Sequence, residues 1–146
     1  MSPRPEIILA ARRWIGTPYV HQASARGAGC DCLGLIRGLW REIYGDEPAP
    51  VPAYTRDWAE PARDEALWRA AAAYLVEKPV QSAVAGDLLL FRMRRDAVAK
   101  HLGLMASAGA APSFIHAYSG HGVVESPLSA PWARRIVAAF AFPKGD

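Results

Sequence analysis

Long apolar runs, a large excess of charge and a set of paired cysteines are all missing from this 146-residue chain. The apolar run before Arg12 is too short for a signal peptide or a membrane span. We therefore expect synthesis in the cytoplasm without a signal peptide, and no membrane insertion. Cys30 and Cys32 are separated by one residue, whereas a disulfide framework joins distant segments. At least one thiol is therefore expected to be free.

The balance of charge does not indicate direct nucleic-acid binding. Lys and Arg number 17 against 14 Asp and Glu, which gives a formal net charge of +3 without a clustered basic patch. Hydrophobic residues make up 51% of the chain and charged residues 21%. Repeats and low-complexity tracts are absent. This composition predicts one compact domain over residues 1–146.

The first half of the chain has helical periodicity. The spacing of apolar residues predicts a helix from about Pro5 to Trp14, with Ile15 on its apolar face and Gly16 as its C-cap glycine. The glycine-rich segment that follows is predicted to be loop. A second helix is predicted to begin near Asp31, a suitable N-cap, and to end before Gly45.

A third helix is predicted beyond an extended link that contains prolines 48, 50 and 52. The pattern from residue 55 indicates a short turn to Glu60, then a helix that restarts at Pro61 and ends near Val76. Its expected inward side chains are Leu67, Ala71, Tyr74 and Leu75.

The periodicity changes after Gly86, where short apolar runs replace the helical pattern. Five strands are predicted, at about residues 87–91, 101–106, 114–118, 122–125 and 136–142. Helices followed by strands indicate an α+β fold. We expect the N-terminal helices to pack on one face of a mainly antiparallel sheet of five or six strands.

Cys32 is the candidate nucleophile because it falls in the first turn of the second helix. Amide dipoles at a helix N-terminus stabilise a thiolate, so a lowered thiol pKa is expected. The alternative is a small buried apolar residue, the usual role of a helical cysteine. The position after a glycine-rich loop favours the reactive thiol.

A cysteine nucleophile needs a base, and the base needs a third group that orients it. His101 opens one predicted strand and His116 lies within the next, so a Cys32-His101-His116 site is possible. The alternatives are an exposed strand-end histidine for His101 and a satisfied core histidine for His116. His121 is interpreted as a turn residue, and its role stays open.

Metal binding is the competing chemistry for the cysteine segment. Cys30, Cys32 and His21 are close in sequence, but they lack the paired spacing of structural zinc sites. We therefore expect no metal site and no cofactor. Cys30 precedes the helix and is expected to be a neighbour of the nucleophile. Tyr19 either packs on the second helix or directs its hydroxyl toward the reaction centre.

Five motifs in register resemble the NlpC/P60 superfamily of cysteine peptidases: GTPY at 16–19, DCLGL at 31–35, GDLLLF at 86–91, HLGL at 101–104 and IHA at 115–117. Three further segments are similar to the cell-wall peptidases of phage tails and gene transfer agents: HQA at 21–23, GCDCLGLIR at 29–37 and YSGHGVVESP at 118–127. The chain departs from the family at Gln22-Ala23, where Gly-Gly is common, at Cys30, and at Leu33, where serine is common.

The resemblance implies a papain-like fold with Cys32 as nucleophile, His101 as base and His116 as the orienting residue. It places Tyr19, Asp31 and His21 on the substrate and oxyanion side of the site. The implied activity is cleavage of peptidoglycan stem peptides, typically between D-glutamate and a diamino acid.

The closer resemblance implies tail-tip proteins as partners. It also implies a place in the tail of a virion or gene transfer agent particle that acts in the recipient's periplasm. Two other functions remain open at this stage. One is a tail-tip adaptor with a vestigial peptidase fold, and the other is a thiol acyltransferase or amidase on another substrate.

Overall fold

Four α-helices and two antiparallel sheets form residues 3–48 and 65–144, the part of the chain that the computed structural model describes. The helices are α1 (Pro5–Arg12), α2 (Cys32–Tyr44), α3 (Ala66–Tyr74) and α4 (Ala130–Ala133). The strands are β1 (Ser24–Ala25), β2 (Gly29–Cys30), β3 (Val76–Lys78), β4 (Leu88–Phe91), β5 (His101–Ser107), β6 (Ser113–Tyr118), β7 (Gly122–Pro127) and β8 (Ile136–Ala141).

The larger sheet has six strands in the order β3-β8-β4-β5-β6-β7, and every neighbouring pair is antiparallel. All five strands predicted from the apolar runs are present. The α+β fold with N-terminal helices against a mainly antiparallel sheet is confirmed. Hairpin connections place β5, β6 and β7 side by side, and β5 and β6 carry the two candidate histidines.

The sheet is covered on both faces, because alternate residues of its strands enter two apolar clusters. Leu88 and Leu90 of β4 belong to the cluster that contains the buried sides of α1 and α2. Leu89 and Phe91 belong to the second cluster, against which Trp132 of α4 packs. The sequence did not predict α4, so the cover of this second face is a finding of the structure.

Helix α1 ends at Arg12, two residues earlier than predicted, and Ile15 is 44% exposed rather than part of the apolar face. Beyond this end, Trp14 turns into the core. Its ring occupies the space where a Cβ on Gly38 would stand, and its indole N–H donates to Glu42. Gly16 is consequently not the C-cap. It adopts φ 95°, and its N–H pairs with the Val123 carbonyl of β7.

The third helix differs from the prediction at both ends. The expected turn and restart at Pro61 lie outside the described residues, and the observed α3 begins at Ala66. Leu67 and Ala71 are buried as predicted, but Tyr74 is 43% exposed. The chain leaves the helix at Leu75 and forms the edge strand β3, which pairs with β8. This strand was missed because its three residues, mostly exposed, carry no apolar alternation.

The helices are short. Within the described parts of the chain, none combines the length and the apolar character needed to cross a bilayer.

Candidate active site

Asp31 ties the start of α2 to the loop before it. The residue is the N-cap of the helix, as predicted, and its carboxylate accepts the N–H of Gly34 at 2.8 Å. The other carboxylate oxygen accepts the N–H of Gln22 at 2.7 Å. Asp31 is 3% exposed, so both bonds lie away from solvent. A capping carboxylate satisfies orphan amides of the first turn, and here it also fixes the loop against α2.

The segment from Thr17 to Asp31 is more ordered than the loop predicted from its glycines. Strands β1 and β2 pair within it, and Tyr19 forms a parallel bridge with Cys30. Thr17 is buried and accepts the N–H of Gly27 at 2.9 Å. These backbone bonds place Tyr19 beside the start of α2, where its side chain is half-buried against the core.

Gln22 occupies a conformation that normally favours glycine. Its φ is 66°, and it is the one non-glycine residue with positive φ among those described. Such a backbone costs a β-carbon residue about 1 kcal/mol. The bond from its N–H to buried Asp31 holds it there. The structure thus has a positive φ at Gln22 itself, one of the two positions where the sequence differs from the Gly-Gly of the resemblance.

Gly34 permits the close approach of this loop to α2. A Cβ at this position would stand 1.8 Å from the carbonyl oxygen of Ala23. Backbone atoms cannot turn aside as a flexible side chain can. The glycine is therefore required by the contact that brings the loop against the first turn of α2.

Gly34→Ala is expected to lower the free energy of unfolding by about 2–3 kcal/mol, because the loop must move away from the helix. The matched control is Gly27→Ala in the same segment, whose Cβ would meet no atom within 4 Å. Only its positive φ of 82° opposes the substitution, so a loss of about 1 kcal/mol is expected. Urea unfolding of both variants provides the measurement, and equal losses would contradict the steric explanation.

Cys32 is the first residue of α2 and is half-buried. Its Sγ donates a hydrogen bond to the carbonyl oxygen of Lys100 at 3.6 Å. Among the hydrogen bonds of the described residues, none joins this thiol to the His101 imidazole. Lys100 immediately precedes His101, so the thiol rests beside the strand end that carries the candidate base.

The prediction of a lowered pKa for the Cys32 thiol is wrong. Desolvation and, to a lesser degree, the nearby carboxylate of Asp31 raise the pKa of this thiol to about 12. Backbone hydrogen bonds at Leu102, Leu33 and Cys32 favour the thiolate but are outweighed. The sequence showed the helix start but not the burial of the sulfur. The resting Cys32 side chain is therefore a neutral thiol.

His101 and His116 form a buried pair on neighbouring strands. The Nε2 atom of His101 and the Nδ1 atom of His116 are 2.8 Å apart. The Nε2 atom of His116 lies 3.0 Å from the Oγ atom of Ser126 on β7. His101 is 8% exposed and His116 is 1% exposed. A polar chain thus crosses β5, β6 and β7, and its first member follows directly on the carbonyl that holds the Cys32 thiol.

Aromatic rings surround the histidine pair. The ring of Trp132 lies 5.6 Å from that of His101 and 5.1 Å from that of His116, measured between centroids. Phe91 packs against His101 at 5.5 Å, and Tyr118 stacks on His116 at 5.4 Å. Burial lowers the pKa of His101 to about 3 and that of His116 to about 4. Both rings are therefore neutral at pH 7.

The remaining candidate residues lie around this centre. His21 is half-buried, with its Nδ1 atom 3.8 Å from the Asp31 carboxylate. His121 is exposed and stacks on Tyr118 at 5.1 Å. Cys30 is buried in β2, where desolvation raises the pKa of its thiol to about 12. Among the residues that the structure describes, no three His, Cys, Asp or Glu side chains come together as a possible metal site.

Trp132 and Ser126 are the two site residues that sequence reasoning missed. Trp132 follows a proline in a four-residue helix, and its position over the histidines depends on contacts with distant strands. Ser126 lay within the recognised segment at 118–127, but a serine in a strand carries no signal of its own.

Comparison with protein families gives one match along this region. The NlpC/P60 family matches residues 16–141. This range includes Cys32 at the capped start of α2, and the histidine pair with the strands that carry it. A comparison with curated proteins gives no match.

Solved structures with the same fold include three that carry this family description. The NlpC/p60 domain of the peptidoglycan hydrolase SagA has a TM-score of 0.64 and 23% identity, over 95% of this chain and 99% of that domain. A Staphylococcus aureus protein, described as similar to lipoprotein, NLP/P60 family, has a TM-score of 0.64 and 19% identity over 99% of this chain. A Bacillus cereus NlpC/P60 family protein has a TM-score of 0.64 and 17% identity over 95%.

This chain spans 45% of the length of the Staphylococcus aureus protein and 40% of that of the Bacillus cereus protein. At these identities the likeness shows the fold.

Proposed function

Since this chain belongs to the NlpC/P60 family, we propose that it is a peptidoglycan hydrolase, a cysteine endopeptidase that cleaves stem peptides. The observation that carries the proposal is the placement of Cys32 at the capped start of α2, beside the strand end that bears His101, which pairs with the buried His116. The peptidoglycan hydrolase SagA, whose NlpC/p60 domain has this fold, supports the substrate class.

Each residue has a distinct role in the proposed reaction. His101 is the base, and His116 orients it through the 2.8 Å contact. Tyr19 and His21 contact the substrate on the thiol side of the site. The backbone N–H of Cys32 contributes to the oxyanion site. Asp31 has both carboxylate oxygens occupied by backbone amides, so its role is to position the helix and the loop.

The reaction begins from a neutral thiol and a neutral imidazole. The thiol turns from the Lys100 carbonyl toward His101 and transfers its proton to Nδ1 of that ring. The thiolate attacks the peptide carbonyl carbon and forms a tetrahedral oxyanion. The imidazolium then protonates the leaving amine as the carbon–nitrogen bond breaks, which leaves a thioester. Water, deprotonated by His101, hydrolyses the thioester and regenerates the thiol. Catalytic contacts that are loose in an unliganded enzyme commonly tighten when substrate binds.

Purified sacculi provide the test of this function. Incubation under reducing conditions should release stem-peptide fragments and leave the glycan strands intact. We propose the bond between D-glutamate and the diamino acid, so mass spectrometry should find a new free amine on the diamino acid. New reducing sugar ends, or no release at all, would overturn the proposal.

We also propose that the chain acts from the tail of a phage-like particle or gene transfer agent, where tail-tip proteins hold it and deliver it to the recipient's periplasm. The similarity of the segments at 21–23, 29–37 and 118–127 to tail-borne peptidases supports this setting. Mass spectrometry of purified particles should detect the chain among the tail proteins. Its absence from particles of a producing strain would contradict the assignment.

A second candidate function is a tail-tip adaptor with a vestigial site. The observation that favours it is the resting thiol, which is bonded to the Lys100 carbonyl and has a raised pKa. An adaptor would bind sacculi without releasing muropeptides. A thiol acyltransferase or amidase would use the same residues, and product analysis with added amine acceptors distinguishes it.

A further inference from the structure

The polar chain on the sheet does not end at the histidine pair. Ser126 lies on the edge strand β7, where it pairs in register with Phe114 of β6, two residues before His116. Its Oγ atom is 3.0 Å from Nε2 of His116, the ring nitrogen that points away from His101. The three polar residues thus occupy one face of three adjacent strands. Ser126 is the outermost of them and is half-buried.

The protonation of this chain has two internally consistent arrangements. In the first, His101 carries its proton on Nε2 and donates to Nδ1 of His116. His116 then carries its own proton on Nε2 and donates to Ser126. In the second arrangement, the donor and the acceptor of each hydrogen bond are exchanged. Ser126 donates to Nε2 of His116, Nδ1 of His116 donates to Nε2 of His101, and Nδ1 of His101 bears a proton.

Only the first arrangement allows His101 to act as a base toward the thiol. The ring nitrogen left for the thiol is Nδ1, because Nε2 is engaged by His116. A neutral ring with a proton already on Nδ1 has no lone pair there to receive another. The reactivity of His101 therefore depends on a hydrogen-bond acceptor at the far end of the chain, beyond His116.

We propose that Ser126 is a positioning residue that holds His116 in the Nε2–H tautomer and thereby keeps Nδ1 of His101 free to accept the thiol proton. The catalytic consequence rests on the proposed function, whereas the tautomer assignment does not. Outer hydrogen-bond partners of this kind fix the tautomer and orientation of an imidazole.

The surroundings of Ser126 let its hydroxyl act as an acceptor. The residue borders an open groove of about 620 Å³, which it shares with Ser113, Glu125 and Leu128. Solvent in this groove can accept the hydroxyl proton of Ser126, so its lone pair stays available for His116. When His101 becomes an imidazolium, the aligned bonds through His116 to Ser126 polarise one another and stabilise the charge.

Ser113 provides a matched control in the same groove. Its hydroxyl donates to Glu125 at 2.8 Å and has no contact with either histidine. Ser113→Ala therefore removes a hydroxyl from the same surface without touching the polar chain. Ser126→Thr keeps a hydroxyl at the end of the chain, and Ser126→Ala removes it.

The test combines imidazole 15N NMR at pH 7 with kinetics. In the wild-type protein, Ser126→Thr and Ser113→Ala, both buried rings should show the Nε2–H tautomer. Ser126→Ala should show mixed tautomers and a kcat on sacculi that is reduced about 10- to 100-fold, with KM unchanged. Ser126→Thr should retain most of the wild-type kcat.

Wild-type rings in the Nδ1–H form would overturn the inference, as would unchanged tautomers and kcat in Ser126→Ala. If Ser126→Ala fails to fold, two measurements still test the inference: the imidazole tautomers of the wild-type protein and the kcat of Ser126→Thr. The proposed function can fail separately. A wild-type protein with the expected tautomers, altered by Ser126→Ala but inactive on sacculi, would support the role of Ser126 and reject the hydrolase.

Discussion

Cys32→Ala is expected to reduce the release of muropeptides from sacculi at least about a thousandfold, because no other group supplies the nucleophile of the acyl-enzyme step. The fold should be retained. Alanine is a good helix former, and the capping of α2 by Asp31 does not involve the thiol. Turnover of sacculi and the thermal unfolding midpoint provide the two measurements.

The matched control is Cys30→Ala, which removes the other thiol of the same Cys-Asp-Cys segment. Cys30 is buried in β2 and packs in the core, so its removal should lower the free energy of unfolding by about 1 kcal/mol. Its turnover should stay close to that of the wild type. Hydrolysis that survives Cys32→Ala, or is lost in Cys30→Ala, would contradict the assignment of the nucleophile.

The raised pKa of the Cys32 thiol determines when this thiol can lose its proton in the proposed reaction. A thiolate that is stable at neutral pH would require a positively charged partner. Both neighbouring histidines are neutral because they are buried. In the proposed reaction, we therefore expect proton transfer from Cys32 to His101 to accompany substrate binding. The helix N-terminus contributes most when charge develops on the sulfur and the oxyanion during attack.

The sequence predicted those parts of the fold that depend on local or strongly periodic signals. Asp31 caps α2 through its own side chain. This contact joins residues three positions apart, so it can be predicted from the sequence. Strands β4 and β5 have near-continuous apolar runs, since both of their faces are buried. His101 and His116 could be placed on neighbouring strands because a short connection joins β5 to β6.

What the sequence could not predict depends on contacts between distant segments. Tyr74 was expected inside, but the chain leaves α3 at Leu75 to form β3. Trp132 covers the histidine pair from a helix of four residues, too short to have a periodicity. The prediction of a lowered pKa for the Cys32 thiol was wrong for the same reason. A helix start is visible in sequence, whereas the burial of Cys32 against the Lys100 carbonyl is set by the sheet.

Acidification from pH 7 to about pH 4.5 is expected to destabilise the protein strongly, because His101 and His116 are buried without charge. In the unfolded chain both side chains have an ordinary pKa near 6.5, whereas in the folded protein the pKa values are about 3 and about 4. Above pH ~6.5 neither state holds the protons, so the pair contributes no pH dependence. Below that value the unfolded chain binds protons that the folded protein excludes, and stability falls as the pH falls.

The size of this effect follows from proton linkage. Each histidine lowers the free energy of unfolding by up to about 1.4 kcal/mol per pH unit, so the pair should cost roughly 5 kcal/mol between pH 7 and pH 4.5. That is a large share of the stability of an ordinary domain. The loss from His116 should level off near pH 4 and that from His101 near pH 3, where the folded protein also takes up the protons.

Urea unfolding at the two pH values, with a pair of variants, isolates the histidines as the cause. His101→Gln/His116→Gln removes both titrating groups from the core and should make the free energy of unfolding nearly equal at pH 7 and pH 4.5. His121→Gln removes an exposed histidine and should keep the wild-type difference. The salt-bridged carboxylates Glu6, Glu47 and Glu125 have lowered pKa values, so their stabilisation is lost mainly below about pH 4.5. A wild-type protein equally stable at both pH values would show that its histidines are not held neutral.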